Sequence, residues 1–134
     1  MIEVVGASEN LESEVDKDAM NIFLETLNLL GGPRKLFEYR NLTWLPSLME
    51  AAYVVVYSKK YMKTANEIAS ILGISTATVK NILNADESKI EEMLSHFERK
   101  SEAKTHVAGA LAKLAYKKVV EKGPVVERKD AALA

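Results

Sequence analysis

Polar side chains suited to hydrogen bonding lie close together in the second half of the chain. Asn81 and Asn84 each carry an amide that both donates and accepts, and Lys80 adds an ammonium group. Ser75 and Thr76 supply hydroxyls a few residues earlier. These groups can bind phosphates and the polar edges of a partner, but no nucleophile–base pattern accompanies them. The chemistry expected here is therefore recognition.

Catalytic and metal-binding residues are sparse. His96 and His106 have no partner histidine one helical turn away, and Glu91 and Glu92 are adjacent, so they diverge around a helix. The absence of cysteine excludes disulfides, thiolate zinc sites and cysteine nucleophiles. The glycines fit no nucleotide-binding pattern. We expect no enzyme, no cofactor and no metal site.

The polar side chains between Ser75 and Asn84 lie within residues 64–84, whose pattern predicts two short helices joined by a tight turn. Thr64 and Glu67 form a capping box that marks the start of the first helix. Gly73 follows this helix where positive φ is often needed, and Ser75 can cap the second helix. The predicted buried residues are Ile68, Ala69, Ile71 and Leu72 in the first helix and Val79, Ile82 and Leu83 in the second.

This pattern is typical of a helix-turn-helix, in which small Ala69 permits a close crossing; an ordinary αα-hairpin is the alternative. The second helix of such a motif lies in the major groove of duplex DNA. Its outward residues, the candidate DNA contacts, are Ser75, Thr76, Ala77, Lys80, Asn81 and Asn84. The alternative is that this face is only solvated. RNA binding is less favoured, because no aromatic residues interleave with the basic positions.

Charge is distributed unevenly along the chain. The net charge is −1, but residues 1–31 carry seven acids and one base, whereas residues 32–84 carry seven bases and three acids. Local positive potential is what a nucleic-acid binder needs. Lys59, Lys60 and Lys63 supply it before the motif and join the candidate contacts.

The remaining periodicity predicts further helices, over 13–30, 34–39, 43–58, 84–100 and 101–122, with tails at 1–12 and 123–134. Residues 51–57 could instead form a strand, because Val54, Val55 and Val56 favour β structure. No hairpin pattern follows the motif. The predicted fold is all-α, a wingless helix-turn-helix domain within a bundle of about five to six helices, with a long C-terminal helix.

The last predicted helix is rich in alanine, with Lys113, Lys117 and Lys118 along its edge. A small bundle would not cover so long a helix fully, so we expect self-association as a homodimer. No apolar run reaches membrane-spanning length and no signal peptide starts the chain. A cytoplasmic location without membrane contact is the default expectation. Abundant Glu and Lys without glutamine fit a thermophile.

Two stretches carry a family resemblance. Residues 42–56 with 64–86, and more loosely 105–116, resemble a mainly archaeal domain described as a probable regulatory domain encoded beside KaiC-like ATPases. Residues 64–83 also resemble the helix-turn-helix of LuxR-type regulators and of sigma-factor DNA-binding regions. The resemblance implies regulation with an ATPase partner that supplies any ATP chemistry. Two functions are thus expected: a DNA-binding transcriptional regulator or, alternatively, a helical interaction module that docks a KaiC-like ATPase.

Overall fold

The computed structural model describes the backbone of residues 2–35, 44–90 and 101–125 and the side chains of residues 11–35, 44–90 and 105–125. These residues form five α-helices: α1 (Ile2–Leu29), α2 (Leu45–Lys59), α3 (Ala65–Leu72), α4 (Thr76–Asn84) and α5 (Ser101–Lys122). A short 3₁₀ helix, Glu87–Lys89, follows α4. No strand occurs within these ranges, so the predicted all-α class is confirmed.

Helix α5 is the centre of the fold. It packs against α1, α2, α4 and the 3₁₀ helix. Its fully or almost fully buried residues are Val107, Ala108, Ala110, Leu111, Ala112 and Ala115. The small side chains allow neighbouring helices to approach on several sides. These alanines therefore pack within the chain, and the expected self-association stays a prediction.

Helix α2 is buried on more than one side. Val54, Val55 and Val56 are each fully buried, which requires neighbours around most of the helix. Those neighbours are α1, α3, α4 and α5. Tertiary packing therefore outweighs the β propensity of the three valines, and the strand alternative for residues 51–57 is excluded.

Both ends of the chain differ from the sequence prediction. Helix α1 begins at Ile2, within the predicted N-terminal tail 1–12. Adding residues to an existing helix costs little, and the single Gly6 does not break it. At the other end, α5 ends at Lys122 as predicted, and Val125 is fully buried, so the predicted tail 123–134 is anchored near its start. Residues 126–134 of that tail lie outside the described part of the chain.

Two predicted segments lie mainly outside the described residues. Of the short helix over 34–39, only Arg34 and Lys35 are described, and both are helical. Of the helix over 84–100, residues 84–90 are described: Asn84 ends α4, Ala85 and Asp86 are not helical, and the 3₁₀ helix and Ile90 follow. Asp86 caps that 3₁₀ helix by accepting a hydrogen bond from the Ser88 N–H at 3.0 Å.

Candidate nucleic-acid interface

Helix α3 begins with the predicted capping box. The Glu67 N–H donates to Thr64 Oγ1 at 3.2 Å, and the Thr64 N–H donates to Glu67 Oε1 at 3.0 Å. These bonds lower the pKa of the Glu67 carboxyl below its ordinary value. Two of the N–H groups that a helix start leaves without partners are thereby satisfied, so the start of α3 is fixed locally.

One side of α3 faces the core. Ile68 is fully buried and Ala69 nearly so, as predicted. Ile71 is 49% exposed, which contradicts its predicted burial. At 3.6 residues per turn, Ile71 points about 160° around the helix from Ala69, so the two cannot face the same neighbour. The predicted apolar stripe therefore included one residue too many, Ile71, which lies on the exposed side of α3.

The turn between α3 and α4 has the predicted backbone geometry. Gly73 has φ 70° and ψ 33°, in the left-handed region, and its N–H donates to the Ala69 carbonyl at 2.9 Å. Ser75 is the N-cap of α4, and Ser75 Oγ accepts from the Thr78 N–H at 3.0 Å. Both helix boundaries are therefore set by residues identified from the sequence.

Helix α4 buries one side and exposes the other. Val79 is fully buried and Ile82 is 1% exposed, whereas Leu83 is only partly buried. Ala77, Lys80, Asn81 and Asn84 are all exposed. Their spacing of i, i+3, i+4 and i+7 places them along one helical stripe. We call these four residues the α4 stripe.

The N-terminal ends of α3 and α4 lie together. Thr76 Oγ1 donates to Asn66 Oδ1 at 3.2 Å, and Thr76 is partly buried. The Ser75 hydroxyl is exposed but already bonded to Thr78, whose Oγ1 lies 2.8 Å away. The Ser75 and Thr76 hydroxyls, which were predicted to bind DNA, thus form hydrogen bonds that hold α3 and α4.

The four candidate lysines have different surroundings. Lys80 and Lys59 are exposed and form no ion pair with any described residue. Lys63 is partly buried. Lys60 pairs with Asp18 of α1, Nζ to Oδ2 at 2.9 Å, and its ammonium also lies over the Tyr61 ring. An existing ion pair makes Lys60 the weakest of the four candidates for a phosphate contact.

Two residues of α5 that were not predicted to contact α4, Gly109 and Lys113, hold α4 in place. A Cβ added at Gly109 would lie 2.5 Å from the Ile82 carbonyl oxygen, so the two helices approach too closely for any side chain there. One turn further along α5, Lys113 Nζ donates to the carbonyls of Leu83 at 2.9 Å and Ala85 at 2.7 Å. Lys113 thus binds two carbonyls at the end of α4.

An acid completes this attachment. Glu87 of the 3₁₀ helix pairs with Lys113 at 3.3 Å and also accepts a hydrogen bond from Lys117. The hydrogen bond from Lys117 is the main reason that the pKa of Glu87 is lowered from 4.5 to about 2, and Lys113 contributes. Of the three lysines predicted to edge α5, Lys113 and Lys117 therefore serve contacts within the chain.

Part of the acidic face of α1 also has internal partners. Tyr53 Oη donates to Asp16 Oδ1 at 2.8 Å, and Tyr61 Oη donates to Asp18 Oδ2 at 2.7 Å. Burial and the adjacent carboxylates raise the pKa of both phenols to about 12. Asp16 is nevertheless exposed and Asp18 is partly buried, and the two carboxylates link α1 to α2 and to the turn that follows it.

In the described part of the chain, little points to a metal site, a binding cleft or a membrane-spanning helix. No group of three or more His, Cys, Asp or Glu side chains there could hold a metal ion. A cleft of about 260 Å³ between α1, α2 and α5 has an apolar lining of Ile22, Val56 and Val119, with the Asp18–Lys60 pair beside it. No described helix is long and apolar enough to cross a membrane.

Comparison with protein families, with curated proteins and with solved structures finds no match for this chain. The resemblance to the domain encoded beside KaiC-like ATPases therefore stays a prediction. The geometry of α3, α4 and α5 carries the functional argument alone.

Proposed function

We propose that α3 and α4 form a wingless helix-turn-helix and that the protein is a DNA-binding transcriptional regulator. The α4 stripe carries this proposal. It presents two amides, an ammonium and a methyl group on a helix whose opposite side is anchored by Val79 and Ile82. No described residue forms a hydrogen bond or an ion pair with the side chains of Lys80, Asn81 or Asn84. A rigid helix with an unoccupied polar stripe suits insertion into the major groove.

Each residue of the α4 stripe has a chemical role available. The Asn81 and Asn84 amides can pair with the N6 and N7 edge of adenine. Lys80 can reach guanine or a phosphate, and the Ala77 methyl can contact the thymine methyl. The exposed Lys59 can add a phosphate contact beside the motif. Base contacts then specify the site while the lysines supply affinity.

Two copies would strengthen binding, because one α4 stripe contains a single positive charge. A homodimer would present two such helices about 34 Å apart to read successive major grooves. The solution mass tests this part separately. A dimer would have to use a surface other than the alanines of α5, since these are buried within the chain.

The decisive experiment is selection of duplexes from a random pool, followed by fluorescence anisotropy titration of a selected duplex at several salt concentrations. Lys80→Ala should weaken binding and reduce the slope of log K against log salt by about one. Lys17→Ala is the matched control, because it removes the same charge from an exposed position on α1. The proposal fails if no duplex is selected, or if the two variants bind equally well.

The alternative, docking of a KaiC-like ATPase, has less support. Its docking surface would be the acidic helix α1 or the alanine-rich helix α5. Asp16 and Asp18 already bond to α2 and the turn that follows it, and the alanines of α5 are buried. A stable complex with such an ATPase that is indifferent to Lys80→Ala would nevertheless favour it.

A further inference from the structure

Met62, in the turn between α2 and α3, combines two unfavourable features. Its φ of 55° is in the left-handed region, and it is the one residue other than glycine with positive φ in the part of the chain that the structure describes. Its side chain is 80% exposed, more than any other exposed large hydrophobic residue in the described ranges. L side chains rarely adopt this conformation, and an apolar side chain gains nothing from water.

The conformation is explained by the end of α2. The N–H groups of Lys60 and Tyr61 both donate to the Val56 carbonyl, and the Lys63 N–H returns to the Tyr57 carbonyl at 2.9 Å. Residue 62 must turn left-handed to close this last bond, as residues just past a helix end often do. Glycine would make the same turn without a steric cost. The backbone therefore explains the φ value but not the methionine.

The turn is close in sequence to a residue that contacts the start of α4. Only Lys63, Thr64 and Ala65 separate Met62 from Asn66, which bonds to Thr76 of α4 at 3.2 Å. At about 3.8 Å between successive Cα atoms, Met62 lies within about 15 Å of Asn66. Its neighbours in the chain include Lys59 and Lys63, so the exposed thioether is flanked by positive charge. A suitable partner for an apolar side chain between lysines is a polyanion that exposes apolar surface between its negative charges.

We propose that Met62 is an apolar contact to duplex DNA, packing against deoxyribose carbons and base edges while Lys59 and Lys63 bind the flanking phosphates. This inference rests on the proposed function and extends its footprint from α4 to the turn before α3. Duplex DNA presents both chemistries together, and exposed Met, Leu and Phe side chains serve as groove contacts in other DNA-binding proteins. Because Met62 is uncharged, its contribution is independent of salt.

The test is to replace Met62 with residues that suit the left-handed turn, using Met62→Gly and Met62→Asn. Both variants should keep or raise the melting temperature, because they relieve the backbone. Both should bind the duplex selected by the wild-type protein about tenfold more weakly, as expected for losing about half the burial of a methionine. The slope of affinity against salt should be unchanged. Met20→Ala, which trims an exposed methionine on α1, is the control and should bind like the wild type.

Weaker binding with an unchanged or higher melting temperature would support the inference, because a loss of affinity caused by a weakened fold would lower the melting temperature as well. Equal binding by the wild type and both variants would overturn it and leave the proposed function standing, provided that Lys80→Ala still weakens binding. A fall in melting temperature together with affinity would also overturn it, since Met62 would then act through the fold. If the wild-type protein selects no duplex, the proposed function fails and this inference fails with it.

Discussion

Gly109 offers the sharpest test of how α4 is held. An alanine there would place its Cβ 2.5 Å from the carbonyl oxygen of Ile82 and 2.8 Å from its Cα. Both are backbone atoms, so no rotamer change relieves the contact, and one helix must move by about 1 Å to restore ordinary packing. Overpacking of this kind costs up to about 3 kcal/mol. The better helix propensity of alanine offsets about 1 kcal/mol.

We therefore expect Gly109→Ala to lower the free energy of unfolding by about 2 kcal/mol, which corresponds to about 1 M in the urea midpoint. Urea unfolding followed by far-UV circular dichroism measures it. His106→Ala compared with His106→Gly is the control, because position 106 is exposed on α5 and reports propensity without the clash. A Gly109→Ala protein as stable as the wild type would refute the close approach of α4 and α5.

Three further substitutions test the attachment of α4 to α5 and the turn that precedes α4. Lys113→Met removes the donors to Leu83 and Ala85, so urea unfolding should show a loss of about 2 kcal/mol, and an unchanged midpoint would contradict the attachment. The pKa of Glu87 is lower in the folded state than its ordinary 4.5, so its stabilisation is present above about pH 4.5 and is lost as the pH falls toward 2. The free energy of unfolding of Glu87→Gln should therefore depend less on pH than that of the wild type between pH 4.5 and 2. The same pH dependence in both proteins would exclude the effect. Gly73→Ala meets no atom within 4 Å but must keep φ near 70°, so it should cost about 1 kcal/mol in the same assay; no loss would mean that the turn is not left-handed.

The local parts of the fold were predictable because their causes are local. The capping box of Thr64 and Glu67, the left-handed Gly73 and the Ser75 cap all act within four residues, and each has the predicted geometry. The exposure of the α4 stripe also follows from helical periodicity once Val79 and Ile82 face inward. Helical periodicity does not show that these residues bind DNA. That part is our proposal, and the duplex titration tests it.

The remaining features depend on which segments meet, and a single sequence does not reveal that. Gly109 could be recognised as important only by knowing that Ile82 crosses it, and Lys113 only by knowing that α4 ends beside it. The same reasoning explains Lys60, which was grouped with its basic neighbours but pairs with Asp18 on another helix. In each case the partner lies 27 or more positions away along the chain.

These distant partners have a mechanical consequence for the proposed function. Helix α4 is only nine residues long, too short to be stable in isolation, so its orientation must come from its contacts. Val79 and Ile82 fix it laterally, the bond between Thr76 and Asn66 fixes its start, and Lys113 fixes its end. A helix fixed at both ends can present the α4 stripe in one orientation, which is what reading a base sequence requires. In the described residues, α5 forms no hydrogen bond or ion pair with the side chains predicted to contact DNA. It nevertheless determines how accurately these side chains are placed, because it packs against α4.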